Sequence, residues 1–484
     1  MTHSDRPTVV IAGAGISGLA TALALNDLAR ERGLTPPQLQ VLEPDHRVGG
    51  KIRTIHADGF TCEWGVNGFL NKEPRTTELC QRLALQERLL PAAAAFNKRY
   101  IYTRNKLRPV QMHPLKFLFS GLLPFTAKLR LIRELWVPSR PPTPEHDESV
   151  ADFARRRVGP VAYSTLVDPM QTGIFAGDPE RMSVISCFPR VVEVEQEYGS
   201  LIRGMGRLAK ERRRAGVVTQ LPGAGPTGHL TSFSGGMQTL VDRLADALGD
   251  QVRCGTKVRG LRPRDGGGFD VLCQRDGENE SIAADGVILA CPAYEAAAIT
   301  AGMDPQLAEP LSEITYSPLV VVCLGFPATS VTHALDGFGF LVPRPEGLRM
   351  LGALWTSTLF PERAPEGHVL MRVMIGGARD PDVLELDDTE LTRAVLGEVR
   401  RVHGKAGDPS FVRIFRHRCA IPQYLLGHQQ RLQRVQARLD RLPGLFVTGN
   451  AYRGIGVNDC ARNAVEVAAT VVGWLSGETP PPAS

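Results

Sequence analysis

The 484-residue sequence predicts a mixed fold, α/β in one part and α+β in another, and three observations lead to it. An apolar run from Val9 to Ala12 turns through a glycine-rich loop into an Ala/Leu-rich segment that reads as helix to about Arg32. Between Ser317 and Ile375, short apolar runs separated by Pro/Gly turns read as a strand-rich block. From Glu148 to about Arg214, helical patterns follow one another. A Rossmann-like dinucleotide-binding unit, a mixed-sheet unit and a helical unit are therefore expected within one chain.

The first element carries Gly13-Ala14-Gly15-Ile16-Ser17-Gly18, a GxGxxG turn between strand and helix. Gly13 permits the tight turn, Gly15 lets the backbone approach a diphosphate, and Gly18 lets helix and strand pack closely. The helix N-terminus offers free N-H groups and a dipole that favours negative charge. A second strand, Leu39 to Leu42, ends at Glu43, where a carboxylate can accept hydrogen bonds from an adenosine ribose and disfavours a 2'-phosphate. Arg47-Val48-Gly49-Gly50-Lys51 then adds a paired glycine flanked by cations, which resembles the ExxxRxGG extension of FAD-dependent amine oxidases. A nicotinamide domain has no need of that second close approach, so FAD is favoured over NAD. Gly65-Val66-Asn67-Gly68 sets small residues around a polar one, as a ligand-facing backbone needs, although a plain loop reads equally well.

Further on, Asn97 to Tyr102 alternates like a strand and leads to a turn near Asn105. No acidic residue occurs from Arg88 to Arg133, and the part from Lys106 to Trp136 combines cations with Phe and Trp. That composition suits a segment lying on an anionic membrane surface, with core or dimer packing as the competing reading. Ser139 to Pro144 is a loop, and Pro222 to Pro226 breaks the chain again. Met237, Leu240, Val241, Leu244 and Leu248 share one helix face. Gln251 to Val258 and Gly286 to Ala290 read as strands that return to the first sheet, with a turn at Arg264 to Gly268 between them. In the second block the strands are Ser317 to Phe326, Gly337 to Val342, Met350 to Trp355 and Val369 to Ile375, covered by a helix from Asp388 to His403. Leu445 to Val447 is a strand entering a glycine loop, and Asp459 to Leu475 is a helix before a Pro-rich tail.

A hydrophobic content of 43% excludes a disordered chain, and a net charge of +5 over this length proposes no nucleic-acid partner. Nine cysteines without a CxxC pair read as buried thiols in a reducing compartment, and no metal site is expected. With no secretory signal pattern and no spanning apolar run, the expected location is cytoplasmic, with membrane contact from one side.

Three stretches carry a fuller resemblance: Gly449-Asn450-Ala451-Tyr452-Arg453-Gly454-Ile455-Gly456-Val457-Asn458-Asp459-Cys460, Gly173 to Pro179 with Ser183, and Glu197 to Gly204. In this order they resemble the protoporphyrinogen oxidase family, FAD enzymes of haem synthesis. The related coproporphyrinogen oxidases share much of the pattern. The resemblance implies an FAD-binding domain from residues 1–92, 222–300 and 430–478, a substrate-binding domain from 93–111 and 301–429, a helical membrane-binding domain at 112–221, and a flexible tail at 479–484. It places non-covalent FAD contacts at Gly13, Ala14, Gly15, Ile16, Ser17, Gly18, Glu43, Arg47, Gly49, Gly50, Lys51, Gly65, Val66, Asn67, Gly68, Val258, Asn450, Ile455, Gly456 and Val457. Gly456 and its neighbours would open the last helix with its dipole toward the reduced flavin. A substrate propionate would pair with Arg99, the rings would meet Leu341 and Met374, and Gly339 would leave room for the macrocycle.

The implied reaction is six-electron oxidation of protoporphyrinogen IX to protoporphyrin IX, with flavin N5 as hydride acceptor, oxygen as final acceptor and peroxide as its product. No side chain is assigned as catalyst. Coproporphyrinogen III oxidation and a non-catalytic FAD-bound assembly protein are the rival readings. The implied partners are a tetrapyrrole, molecular oxygen, the inner face of the cell membrane, a second copy in a homodimer and a ferrochelatase receiving the product.

Overall fold

A computed structural model describes residues 6–111, 114–140, 147–214 and 228–478. The expected break at Pro222 to Pro226, the tail at 479–484 and most of the Ser139 to Pro144 loop lie outside the described residues.

Val9, Val10 and Ile11 are each fully buried, because their strand, Thr8–Ala12, lies at the centre of a sheet covered on both faces. The sheet is parallel and five-stranded, in the order Val252–Arg253, Gln38–Leu42, Thr8–Ala12, Gly286–Leu289, Leu445–Val447. The chain thus returns to its first sheet from the middle and again near the end, but the strand expected from Gln251 to Val258 is split, since only Val252–Arg253 joins this sheet and Thr256 opens a strand of another. On one face pack the helices Ile16–Glu31, Gln238–Leu248 and Val457–Leu475, through Leu19, Leu240, Val241, Leu244 and Val471. The other face meets a separate three-stranded antiparallel sheet, Thr256–Pro263, Phe269–Arg275 and Glu278–Ala284, together with the helices Ala293–Thr300, Pro305–Ser312 and His428–Leu439.

A seven-stranded mixed sheet follows the order Phe411–Pro422, Tyr316–Pro327, His368–Gly376, Met350–Trp355, Gly339–Leu341, Tyr100–Thr103, Lys106–Pro109. Side chains alternate between its faces with period two. Val320, Val322 and Leu324 join Val373 and Ile375 beneath the helix Asp388–His403, which buries Leu391, Val395 and Val399. That helix starts at a capping box formed by Asp387 and Glu390. Val321, Cys323, Leu370 and Met374 take the opposite face and pack against Phe60 and Cys62.

Between the two sheets in sequence lies a helical block that includes Val150–Val158, Asp168–Phe175, Pro189–Tyr198 and Leu201–Arg214. Glu134 ties it together: fully buried, it pairs with Arg157 and accepts from the amides of Leu201 (2.8 Å) and Ile202 (3.2 Å), capping the last helix of the block. Among the described residues no helix is long and apolar enough to cross a membrane. The cysteines are all free, but the reading of uniformly buried thiols is corrected, since Cys419 is exposed and Cys187, Cys254 and Cys291 are half-buried.

Candidate functional site

Three glycine turns meet at one end of the five-stranded sheet. The Gly13-to-Gly18 turn touches the second turn directly, for Gly15 and Gly49 form a parallel bridge and the Gly49 amide donates to the Ala14 carbonyl at 2.8 Å. Glu43 sits beneath them, buried, with one carboxylate oxygen accepting from the Ala14 amide at 2.8 Å and the other from the Asp45 amide at 3.1 Å. Burial pushes its pKa up, and those two amides pull against the rise. The third turn, Gly449 to Gly456, reaches the same place: a Cβ built on Gly449 would lie 4.0 Å from the Ser17 hydroxyl.

The glycines differ in what they serve. A Cβ on Gly18 would lie 1.9 Å from the Gly13 carbonyl, so that position is demanded by the protein's own packing. A Cβ on Gly15 meets nothing within 4 Å, and Gly15 opens the long helix Ile16–Glu31 without a side-chain cap. Open space at a helix N-terminus fits a diphosphate. A second sign of fit is Asn67, whose side-chain nitrogen and oxygen are both buried without a hydrogen-bond partner. Val258 lies buried on the strand that follows Thr256, whose amide donates to the Glu43 carbonyl at 2.8 Å.

Several expected contacts are committed elsewhere. Arg47 turns back on its own loop, donating to the carbonyls of Val48 (3.0 Å) and Gly50 (2.6 Å), so it shapes the glycine turn. Lys51 donates to the carbonyls of Cys419 and Ala420 (2.6 Å) and lies 4.8 Å from the Tyr316 ring centre; burial lowers its pKa to about 8. The Gly456 amide is taken by Asp459 at 3.0 Å, so a dipole contact there rests on the amides beyond it. Asn450 uses its carbonyl to accept from the Tyr424 hydroxyl at 2.7 Å. Ile455 is half-buried and Val457 buried beside this turn.

The seven-stranded sheet brings Gly339, Leu341 and Met374 to one face and leaves Arg99 just before its strand Tyr100–Thr103. Leu341 stands opposite Gly352, Gly352 stands opposite Met374, and Leu341 aligns with Ile101, two residues beyond Arg99. A Cβ on Gly352 would lie 2.3 Å from the Phe340 carbonyl, so this glycine serves strand pairing between Leu341 and Met374, both half-buried. The helix Asp168–Phe175 closes on this row at Gly173, where a Cβ would come within 2.7 Å of Leu341. Arg99 is half-buried, its guanidinium carbon 4.9 Å from the Phe96 ring centre and 5.5 Å from that of Phe338. It has no carboxylate partner among the described residues, and burial lowers its pKa. Gly339 departs from expectation: at φ +135° its Cβ would lie 2.0 Å from the Ala353 carbonyl, so the glycine serves strand pairing, and no room for a macrocycle follows from it.

Sequence reasoning missed the polar link between the two regions. Glu63, fully buried, pairs with Arg363 at 3.1 Å and accepts from the Met237 amide and the Thr54 hydroxyl. Arg372 rises from the seven-stranded sheet and donates to the Gly65 carbonyl at 2.5 Å. The available signal was a lone cation inside the apolar run His368–Gly376.

Comparisons with known proteins show the family of the chain. The family described as flavin containing amine oxidoreductase matches residues 16–472. The chloroplastic protoporphyrinogen oxidase of Nicotiana tabacum is 32% identical, covering 96% of this chain and 86% of its own. The coproporphyrinogen III oxidase of Bacillus subtilis is also 32% identical, over 93% of this chain and 95% of its own. A crystal structure from Exiguobacterium sp., provisionally assigned as a protoporphyrinogen oxidase, superposes with a TM-score of 0.79 at 27% identity, covering 97% of this chain and 99% of that one.

Proposed function

The chain belongs to the flavin-containing amine oxidoreductase family, and from that premise we propose that it is an FAD-dependent oxidase converting protoporphyrinogen IX to protoporphyrin IX. The observation that carries this reading is the sheet face on which Leu341, Gly352 and Met374 form one row with Ile101, while Arg99, a half-buried cation without a carboxylate partner among the described residues, stands just before the strand of Ile101. A macrocycle that is apolar in its rings and anionic at its propionates suits that face.

When bound, FAD supplies the two-electron chemistry, three rounds of hydride acceptance accounting for the six electrons. The chain's own residues hold and exclude. Gly15 lets the backbone approach the diphosphate, Gly49 packs against Ile52 and Val241 and holds the second turn against the first, and Glu43 faces the ribose position. Arg99 orients one propionate with its fork, while Leu341 and Met374 flank the rings and the helix carrying Gly173 keeps water from the row. No side chain is given the role of a base. The division into FAD-binding, substrate-binding and helical parts is supported by strands from 100–109 and 316–422 joining one sheet.

Oxygen as acceptor, contact with the inner face of the membrane, self-association and delivery to a ferrochelatase extend the proposal. The surface contact is supported by Phe119, Phe125 and Trp136, which are 85%, 69% and 70% exposed. Coproporphyrinogen III is the second reading, supported by the name of the Bacillus relative. Kinetics with protoporphyrinogen and its dimethyl ester test the role of Arg99. Arg99→Ala is expected to lose about 2–5 kcal/mol in kcat/KM for the acid and little for the ester. Equal discrimination of acid and ester by the variant and the wild type would remove the propionate from Arg99.

A further inference from the structure

Arg372 carries a buried charge that the protein does not balance. It is 5% exposed, in the middle of the strand His368–Gly376, with Leu370 and Met374 on the same face. One terminal nitrogen donates to the Gly65 carbonyl at 2.5 Å, the other lies 3.9 Å from the Met374 sulfur, and Nε is buried without a partner. The neighbouring carboxylate, Glu63, is already engaged: it pairs with Arg363 and accepts two further hydrogen bonds. Cys62 and Cys323 lie close by, and their hydrogen bond together with burial pushes the Cys62 thiol far up, so it stays neutral. Three groups, Glu63, Arg363 and Arg372, therefore leave one net positive charge in a region closed to water. An uncompensated buried ion of this kind costs several kcal/mol unless something anionic faces it.

The placement suggests what that anion is. Arg372 holds the carbonyl of Gly65, the first residue of the loop whose Asn67 amide lacks partners, and through Met374 it also touches the proposed substrate row. We propose that Arg372 is a positioning residue which, through the Gly65–Gly68 loop, sets the electron affinity of bound FAD, its buried charge favouring the more negative reduced ring. The inference rests on FAD occupying the three-turn site. With an effective dielectric near 20, one charge several ångströms from another changes relative binding of reduced and oxidised flavin on the order of tenfold.

The test uses full-length protein loaded with FAD and reads the two-electron potential by dye equilibration, together with sulfite affinity of the oxidised flavin. Arg372→Gln keeps a donor for the Gly65 carbonyl and removes the charge; Arg372→Lys keeps the charge. The Gln variant is expected to retain FAD but to lower the potential by about 30 mV per tenfold and to weaken sulfite binding about tenfold, while Lys restores most of both. If Gln shifts neither reading with FAD bound, Arg372 is a structural clamp and the proposal is wrong. If Lys restores neither, charge is not the agent and the proposal is equally wrong. A wild-type protein that takes up no FAD removes the underlying cofactor reading as well.

Discussion

Leu341 and Met374 stand two strands apart with only the hydrogen side chain of Gly352 between them, each paired across the sheet to that glycine. An apolar shelf of this shape needs its two walls more than it needs either one's chemistry. Leu341→Ala and Met374→Ala are each expected to cost about 1–3 kcal/mol in kcat/KM for the porphyrinogen, with the FAD-to-protein ratio unchanged. Steady-state kinetics and the flavin absorbance of the purified variants check this. Unaltered kcat/KM in both variants would place the rings elsewhere.

The diphosphate site gives a cleaner test at Gly15 than at its neighbours. Space beside Gly15 is open, whereas a side chain on Gly18 collides with the Gly13 carbonyl. Gly15→Val is thus expected to fold with normal circular dichroism and to be colourless, its FAD occupancy reduced at least tenfold. A yellow, fully occupied variant would remove the diphosphate from this turn.

Two buried histidines predict an acid limb in stability. His403 accepts from the Trp355 indole N-H at 3.1 Å and faces the Val399 carbonyl through Nδ1, so protonation breaks the indole bond; His428 is buried against the Tyr452 carbonyl. Burial lowers both pKa values to about 4. The unfolded chain binds these protons near pH 6.5, so stability is full above that value and falls between about 6.5 and 4. Each group contributes roughly 3 kcal/mol across that window. Urea unfolding at intervals of pH should show the loss, and His403→Gln should remove about half of it, leaving the part due to His428.

The exposed aromatic face predicts binding to anionic vesicles. Phe119, Phe125, Leu129, Ile132 and Trp136 point outward, beside a surface cavity of about 450 Å³ lined by Arg108 and Lys116. Flotation with vesicles containing phosphatidylglycerol should capture the protein at low salt and release it as ionic strength rises. Phe125→Ser with Trp136→Ser should weaken capture on the order of tenfold. No capture at low salt would contradict the surface reading.

Where pattern and burial coincide, the sequence was legible. The parallel strands around Val9 to Ile11 are continuous apolar runs, and the helix Asp388–His403 carries its capping box in plain view. The strand Phe411–Pro422 was missed because Arg413, Arg416 and Arg418 break its apolar alternation, as cations do on an edge strand. The strands Phe269–Arg275 and Glu278–Ala284 were missed for a related reason, since polar residues dominate the second of them. At the site, local signals named the glycine turns and Glu43. They could not tell that Lys51 spends its donor on the Ala420 carbonyl, nor that Arg372 reaches Gly65 across 307 positions of chain, because such partners are fixed only by the tertiary fold.

Anaerobic stopped-flow mixing of the FAD-loaded protein with protoporphyrinogen IX, and separately with coproporphyrinogen III, tests the central claim most directly. Loss of the oxidised-flavin absorbance within the turnover time, faster with protoporphyrinogen IX, is the predicted result, with porphyrin fluorescence following only once oxygen is admitted and the flavin can be reoxidised for the remaining two rounds. A flavin that stays oxidised with both substrates would contradict the oxidase itself, and one reduced only by coproporphyrinogen III would contradict the substrate.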